Sequence, residues 1–369
     1  MLAMALGLTT RATDSASAEP TDRPAAPATA NTTPAAPPAP APPPPGTIRI
    51  AAAGHVVFGS DWPPWQQWLP PDDGVPIAAA VAPIWRDADL RIANLGVPMT
   101  THPTPRGSRD PEHDFIMRTP PRYGAALRAL GLDIVLAANN HSLDFGRAGH
   151  AETLAHLEAL GIDALGPRGR VVIREVRGVR VAFVGFTQPY VPEFQSHTRI
   201  PEAGALIADV AAHADIVIAF VHGGGEGRDA LYIPHGPEFV GDEFRGNLVK
   251  LARHLIDSGA DAVIGVGAHH PRAMEFHNGR LIAYALGNFV TWGNFDLRAP
   301  NHLSLVLHLD FHPDGTLAAA QLTPVRLRHP GAPFADPLGW TIPFLRRLSR
   351  ASFPASAPRF HRDGRITPR

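Results

Sequence analysis

The chain has 369 residues, 44% of them hydrophobic, enough for one large domain or two small ones. Acidic and basic residues nearly balance, 34 against 33, so the formal charge of -1 gives no argument for a nucleic-acid or acidic partner. The absence of Cys excludes disulfides, a Cys-ligated zinc site and a Cys nucleophile, and no apolar run reaches the roughly 18 residues of a transmembrane helix.

Residues 1–18 begin with an apolar run, Met1 to Leu8, and end in Ala16-Ser17-Ala18, the small-residue form of a signal-peptidase site, although the basic n-region is missing. Residues 19–46 are rich in Pro, Ala and Thr, with Pro37-Pro38 and Pro42 to Pro45, and predict a semi-extended spacer without a core. Together these segments predict an exported protein of the cell envelope or extracellular space, and deleting 1–46 should leave folding intact. The alternative for the N-terminus is plain disorder.

From Thr47 onward strands and helices alternate. Strands are predicted at 48–53, 89–94, 133–137, 179–185, 216–221, 262–265 and 280–285, with late strands at 303–311 and 322–327. Helices are predicted near 77–86, 123–130, 149–160 and 247–258. The domain is taken as 47–336, and 337–369 as a Pro- and Arg-containing C-terminal tail with one short helix near 342–349.

Several predicted strands end in metal- or anion-binding residue types. Residues 133–137 run into Asn139-Asn140-His141 and Asp144, which bring a carboxamide, an imidazole and a carboxylate to one strand end. Others end in Gly54-His55, in His222-Gly223-Gly224-Gly225-Glu226, and in Gly265-Val266-Gly267-Ala268-His269-His270. Ligand sites of open α/β sheets gather at that edge. Asn140 and His141 suit a divalent metal or a phosphate-like anion, and Asp144 can orient the imidazole. The structural alternative is an Asx-turn followed by a helix cap. The three glycines allow close backbone approach, and Glu226 could ligate or act as a base. Adjacent His269 and His270 point in different directions, so at most one faces the site. Asn288 reads as part of a turn bonding the loops beneath it.

The segments Ala138 to Gly146, Val221 to Gly227, Leu255 to Gly265, Arg280 to Val290 and Phe115 to Pro120 resemble the CapA family of poly-γ-glutamate capsule-synthesis proteins. The resemblance covers about 47–336. It implies an α/β, metallophosphoesterase-like four-layer sandwich, two β-sheets flanked by helices. It also implies that Asn140, His222 and His269 are metal ligands and that His141, with Asp144 beside it, is the catalytic acid or transition-state stabiliser. Three positions depart from the family pattern. His55 stands where an Asp is usual, Gly96 where a Glu is usual, and Val266 where a His is usual. Two of these losses remove carboxylates, which a pair of close divalent ions needs. With His55 recruited, the set suits one divalent ion better than two.

Two functions follow from the resemblance. The first is an envelope hydrolase, with metal-assisted cleavage of a phosphoester or amide bond in a surface polymer. The second is a non-catalytic relative that binds an envelope polymer or its assembly machinery through a degenerate metal site.

Overall fold

The computed structural model describes residues 40–107, 115–188, 191–293 and 295–369. The expected signal segment, 1–18, and most of the expected spacer lie outside the described residues. Within the spacer, Pro40 is buried and the Ala41 N–H donates to Gln321 Oε1 at 2.9 Å, so residues 40–46 are anchored to the domain.

Two large sheets carry the described residues. The first runs Arg359–Phe360 (β17), Arg365–Thr367 (β18), Leu317–Arg328 (β15), Leu303–Phe311 (β14), Ile48–Val57 (β1), Leu90–Leu95 (β2), Ile134–Leu136 (β3) and Asp163–Leu165 (β4). Asn288–Thr291 (β13) also pairs with β1, and Ala332–Ala335 (β16) with β15. The second runs Met274–His277 (β11), Arg280–Ala283 (β12), Ala262–Val266 (β10), Ile216–His222 (β7), Val179–Thr187 (β6) and Val171–Val176 (β5). Glu238–Val240 (β8) and Glu243–Gly246 (β9) form a separate hairpin. The helices are Val75–Val81 (α1), Gly124–Leu130 (α2), Gly146–Ala159 (α3), Ile200–Ala211 (α4), Leu248–Asp257 (α5) and Thr341–Ser352 (α6).

Strand alternation builds the layers. Ile48, Ile50 and Ala52 of β1 join Phe183, Ile218 and Ile264 in the core between the sheets. Ala51 and Ala53 point the other way, into a second core with Ala78 of α1 and Leu127 of α2. Val217 and Val263 of the second sheet pack outward on Ile207 of α4 and Leu251 of α5. Helix, sheet, sheet and helix are thus stacked, the metallophosphoesterase-like sandwich that the resemblance implies.

The central strands are parallel within each sheet: β1 to β4 in the first, and β6, β7, β10 and β12 in the second. Parallel strands present their carboxyl ends at one edge, which is why distant strand ends can share a site.

Residues 337–369 are not a tail. Ile342 and Leu345 of α6, with Phe360 and Ile366, enter the core between the sheets, and β18 pairs with β15 through Ala320–Ile366 and Gln321–Arg365. The Pro- and Arg-rich composition hid a buried stripe on α6 whose partners come from other elements.

Candidate functional site

His55 lies in β1, opposite Asn94 of β2 and Asn288 of β13. Its backbone N–H donates to the Gly287 carbonyl at 3.0 Å. Gly54 makes this approach possible, because a Cβ there would lie 1.7 Å from the Gly287 oxygen. Gly54→Ala should therefore cost about 3 kcal/mol, since the obstacle is backbone and cannot rotate away. A urea midpoint unchanged from wild type would show that the two strands can separate freely.

From the second sheet come His222, at the end of β7, and His269, beyond β10. The His55 ring stacks on His269 with centroids 4.8 Å apart and meets His222 edge-on at 5.6 Å. His269 adopts φ 62°, a left-handed conformation that is uncommon outside glycine. Its Nδ1 lies 2.9 Å from Asn288 Oδ1. His270 turns away, its Nε2 3.0 Å from the Gly227 carbonyl oxygen.

His141 sits on the turn after β3, its Nδ1 2.9 Å from Asp144 Oδ2. The Met117 N–H also donates to that oxygen at 2.9 Å, and Arg106 Nε donates to Oδ1 at 3.1 Å. Asp144 is wholly buried, whereas 20% of the His141 side chain is exposed, so His141 is the member that can reach a substrate. Asn139 makes the Asx-turn, its Oδ1 accepting from the His141 N–H at 2.9 Å. Asp144 does not cap α3: the residue before that helix is Phe145, and no side chain caps it. Asn140 is half-buried beside His141.

Burial governs the electrostatics. Desolvation first, and then neighbouring imidazoles, hold His55 and His222 well below the ordinary histidine value. Desolvation lowers His269 to about 4 against the opposing effect of Asn288. All three rings are neutral at physiological pH.

The fold should consequently be acid-sensitive. Desolvation also lowers His150 and His197 to about 4 and His308 to about 3. Unfolded histidines titrate near 6.5. Between these values the unfolded chain binds protons that the folded chain refuses, so stability rises with pH across the window. The penalty is absent above about pH 6.5 and grows as pH falls towards 4. Melting temperatures measured from neutral pH down should drop steeply there, and a flat profile would contradict the neutral-ring assignment.

The glycine loop does not offer free amides. Gly223 N donates to the Val266 carbonyl at 2.9 Å, Gly224 N to the Arg245 carbonyl at 2.9 Å, and Gly225 N to Glu238 Oε2 at 3.0 Å. Glu226 is not a free base; it pairs with the buried Arg245 guanidinium.

The residues present do not fit a divalent ion as they stand. Among the described residues, no group of three or more His, Cys, Asp or Glu side chains is arranged to hold a metal. The three rings carry no carboxylate with them, and the Arg245 charge acts on each. Val266 is fully buried in the core between the sheets, level with His222. A Cβ on Gly96 would meet Val57 Cγ2 at 2.5 Å, so Gly96→Glu would have to displace Val57.

Three residues escaped the sequence reading of the site. Asn94 and Gln188 end or follow strands at the same edge, a signal that was available. Arg245 comes from the β8–β9 hairpin; Asn139, already singled out in the sequence, makes the turn and also faces Asn94.

Two face-to-face sheets flanked by helices form a four-layer α/β sandwich with histidines and asparagines gathered at its strand ends. A family model described as bacterial capsule synthesis protein PGA_cap matches residues 49–292, and the chain belongs to that family. It is 29% identical over 230 residues to the PGA biosynthesis protein CapA of Bacillus subtilis, covering 57% of this chain and 55% of that relative. It is 30% identical over 277 residues to a probable polyglutamine synthesis accessory protein of Mycobacterium tuberculosis, covering 70% and 72%. The chain thus spans about half the length of the Bacillus subtilis relative. Among solved structures, a phosphatase of Mycoplasma pneumoniae covers 80% of this chain and 96% of its own, at TM-score 0.46 and 12% identity.

Proposed function

We propose that this chain acts at the cell envelope in the synthesis of an anionic surface polymer of the poly-γ-glutamate type. The observation that carries this reading is the family match over 49–292, which contains every residue of the strand-end cluster. The signal-like form of residues 1–18 supports export, and no helix among the described residues is long and apolar enough to cross a membrane. Deleting the gene in its native host should lower surface polyglutamate, measured by acid hydrolysis and amino-acid analysis. Unchanged polymer would overturn the role.

Within that role we read the site as hydrolytic, with His141 handling the proton. Asp144 fixes the ring through Nδ1, which leaves Nε2 to pass a proton to the leaving atom of a phosphoester or amide bond. His141→Ala should slow cleavage of a polymer chain roughly 10²–10⁴-fold without changing the melting temperature. If the deletion abolishes polymer but His141→Ala supports it fully, the site binds polymer or its assembly machinery rather than cutting it.

A second reading keeps a divalent ion at His222, His269, Asn140 and His55. Three neutral imidazoles in contact favour it, because the neutral ring is the ligating form. It requires the Asn94 and Gln188 amides to turn over, and the lack of carboxylates limits it to one ion. Elemental analysis of purified protein should then show one metal per chain; two would contradict this ligand count.

A further inference from the structure

The tautomers of His55 and His222 are each set by an amide whose own direction has a separate anchor. In the first chain, Asn139 Oδ1 accepts from the His141 N–H, and its Nδ2 donates to the Leu95 carbonyl at 2.6 Å. Backbone groups cannot exchange donor and acceptor roles, so the Asn139 amide has one orientation. Its Nδ2 also faces Asn94 Oδ1 at 3.3 Å. Asn94 is left to donate from Nδ2 to His55 Nδ1 at 2.7 Å. The ring proton of His55 therefore resides on Nε2.

The second chain has the same logic. The Gln188 amide lies between Arg245 Nη1, a group that only donates, and the His222 carbonyl, which only accepts, so its hydrogen-bonding surroundings assign the oxygen to the Arg245 side. The Gln188 nitrogen donates to the His222 carbonyl at 2.7 Å and to His222 Nδ1 at 3.0 Å. Again Nδ1 accepts, and Nε2 carries the proton. A protonated Nε2 has no lone pair for a cation.

Asn288 Nδ2 is buried and has no partner, and the buried His55 Nε2 makes no well-aligned hydrogen bond, the Gly267 carbonyl being its one neighbouring acceptor. His55 and Asn288 are opposite each other in the β1–β13 pairing, and Asn288 also touches His269. An unpaired buried donor is costly, so the orphan Asn288 N–H beside the poorly satisfied His55 N–H points to an acceptor that belongs there.

We propose that the centre binds an anionic oxygen, of a carboxylate or a phosphate, by direct donation from His55 Nε2, His222 Nε2 and Asn288 Nδ2. The Arg245 charge acts on both rings, although Glu226 and Glu243 pair with the guanidinium and offset part of it. Desolvation lowers that guanidinium only to about 10, so it stays cationic at neutral pH. The partly exposed His141 stands beside the bound group, where a proton is wanted. The inference rests on this cluster being the site, but not on which polymer the protein serves.

The test is proton–nitrogen correlation spectroscopy on histidine-labelled, chelator-treated full-length protein. His55 and His222 should show a protonated Nε2. Inorganic phosphate or acetate should shift both signals saturably, and the one that acts more strongly identifies the anion class. One equivalent of zinc should leave both nitrogens protonated. Protonation on Nδ1, loss of the Nε2 protons to zinc, or no response to either anion would each overturn the proposal. Asn94→Asp adds an independent arm: a carboxylate accepts only, so the ring proton would move to Nδ1 to donate to it and Nε2 would be left bare. It should weaken anion binding at least about tenfold and create zinc affinity. Should that variant fail to fold, the wild-type spectra decide by themselves. A failed polymer role would appear in the gene deletion and leave these spectra unchanged.

Discussion

Truncating the chain after Asp336 is expected to unfold it. The removed segment buries Ile342, Leu345 and Leu348 of α6, followed by Phe353, Phe360 and Ile366. Each such side chain contributes about 1.5–3 kcal/mol when fully buried, so six approach the roughly 5–15 kcal/mol by which a domain is stable at all. The loss is also polar. Ser349 Oγ accepts from the Met274 N–H at 2.8 Å, and Ser352 Oγ accepts from the Ile233 N–H at 3.0 Å, both in buried surroundings. Removing them leaves donors without partners in two other elements. The expected result is insoluble or non-cooperatively melting protein, read by circular dichroism. A truncated chain melting cooperatively within a few degrees of the full one would mean that the C-terminal segment is an accessory layer.

The second large effect is expected at Asp310. Arg49 of β1 and Asp310 of β14 are cross-strand partners, joined by Nε–Oδ1 and Nη2–Oδ2 bonds of 2.7 and 2.8 Å. Both are almost wholly buried, and Arg49 Nη1 already lacks a partner. Asp310→Ala would leave a guanidinium in the core with no counter-charge, a loss of about 3–5 kcal/mol. Replacing both residues with apolar ones should recover most of it, because the cost lies in the orphaned charge rather than in the missing bond. Chemical denaturation of the two variants tests this. Equal destabilisation of single and double variants would show that the pair itself, not the leftover charge, holds the strands.

The long central strands were legible because each is a buried apolar run bounded by turn residues, and β14 matches its predicted range of 303–311. Short strands were not. Asp163–Leu165 is three residues, and Met274–His277 is legible only beside β12, its antiparallel partner. The helix Ile200–Ala211 was also missed; it carries Pro201 in its first turn and begins without a side-chain cap. The C-terminal segment was misjudged for a related reason. Its apolar residues are spaced among Arg and Pro, and their burial depends on sheets laid down earlier in the chain.

What the sequence by itself determined is local. The His141–Asp144 pair spans three residues, and one turn closes it, so its geometry follows from the chain's own short path. The likeness at the strand ends was readable for the same reason, since each motif is contiguous. Only the tertiary structure decided the state of the buried rings. Asn94 reaches His55 across 39 residues and Gln188 reaches His222 across 34, and the direction of each amide depends on third groups, Asn139 and Arg245. A histidine reads the same in a sequence whether its outer nitrogen is a donor or a lone pair. Which it becomes is settled by the hydrogen bond at its other nitrogen, and that bond exists only after the sheets have packed.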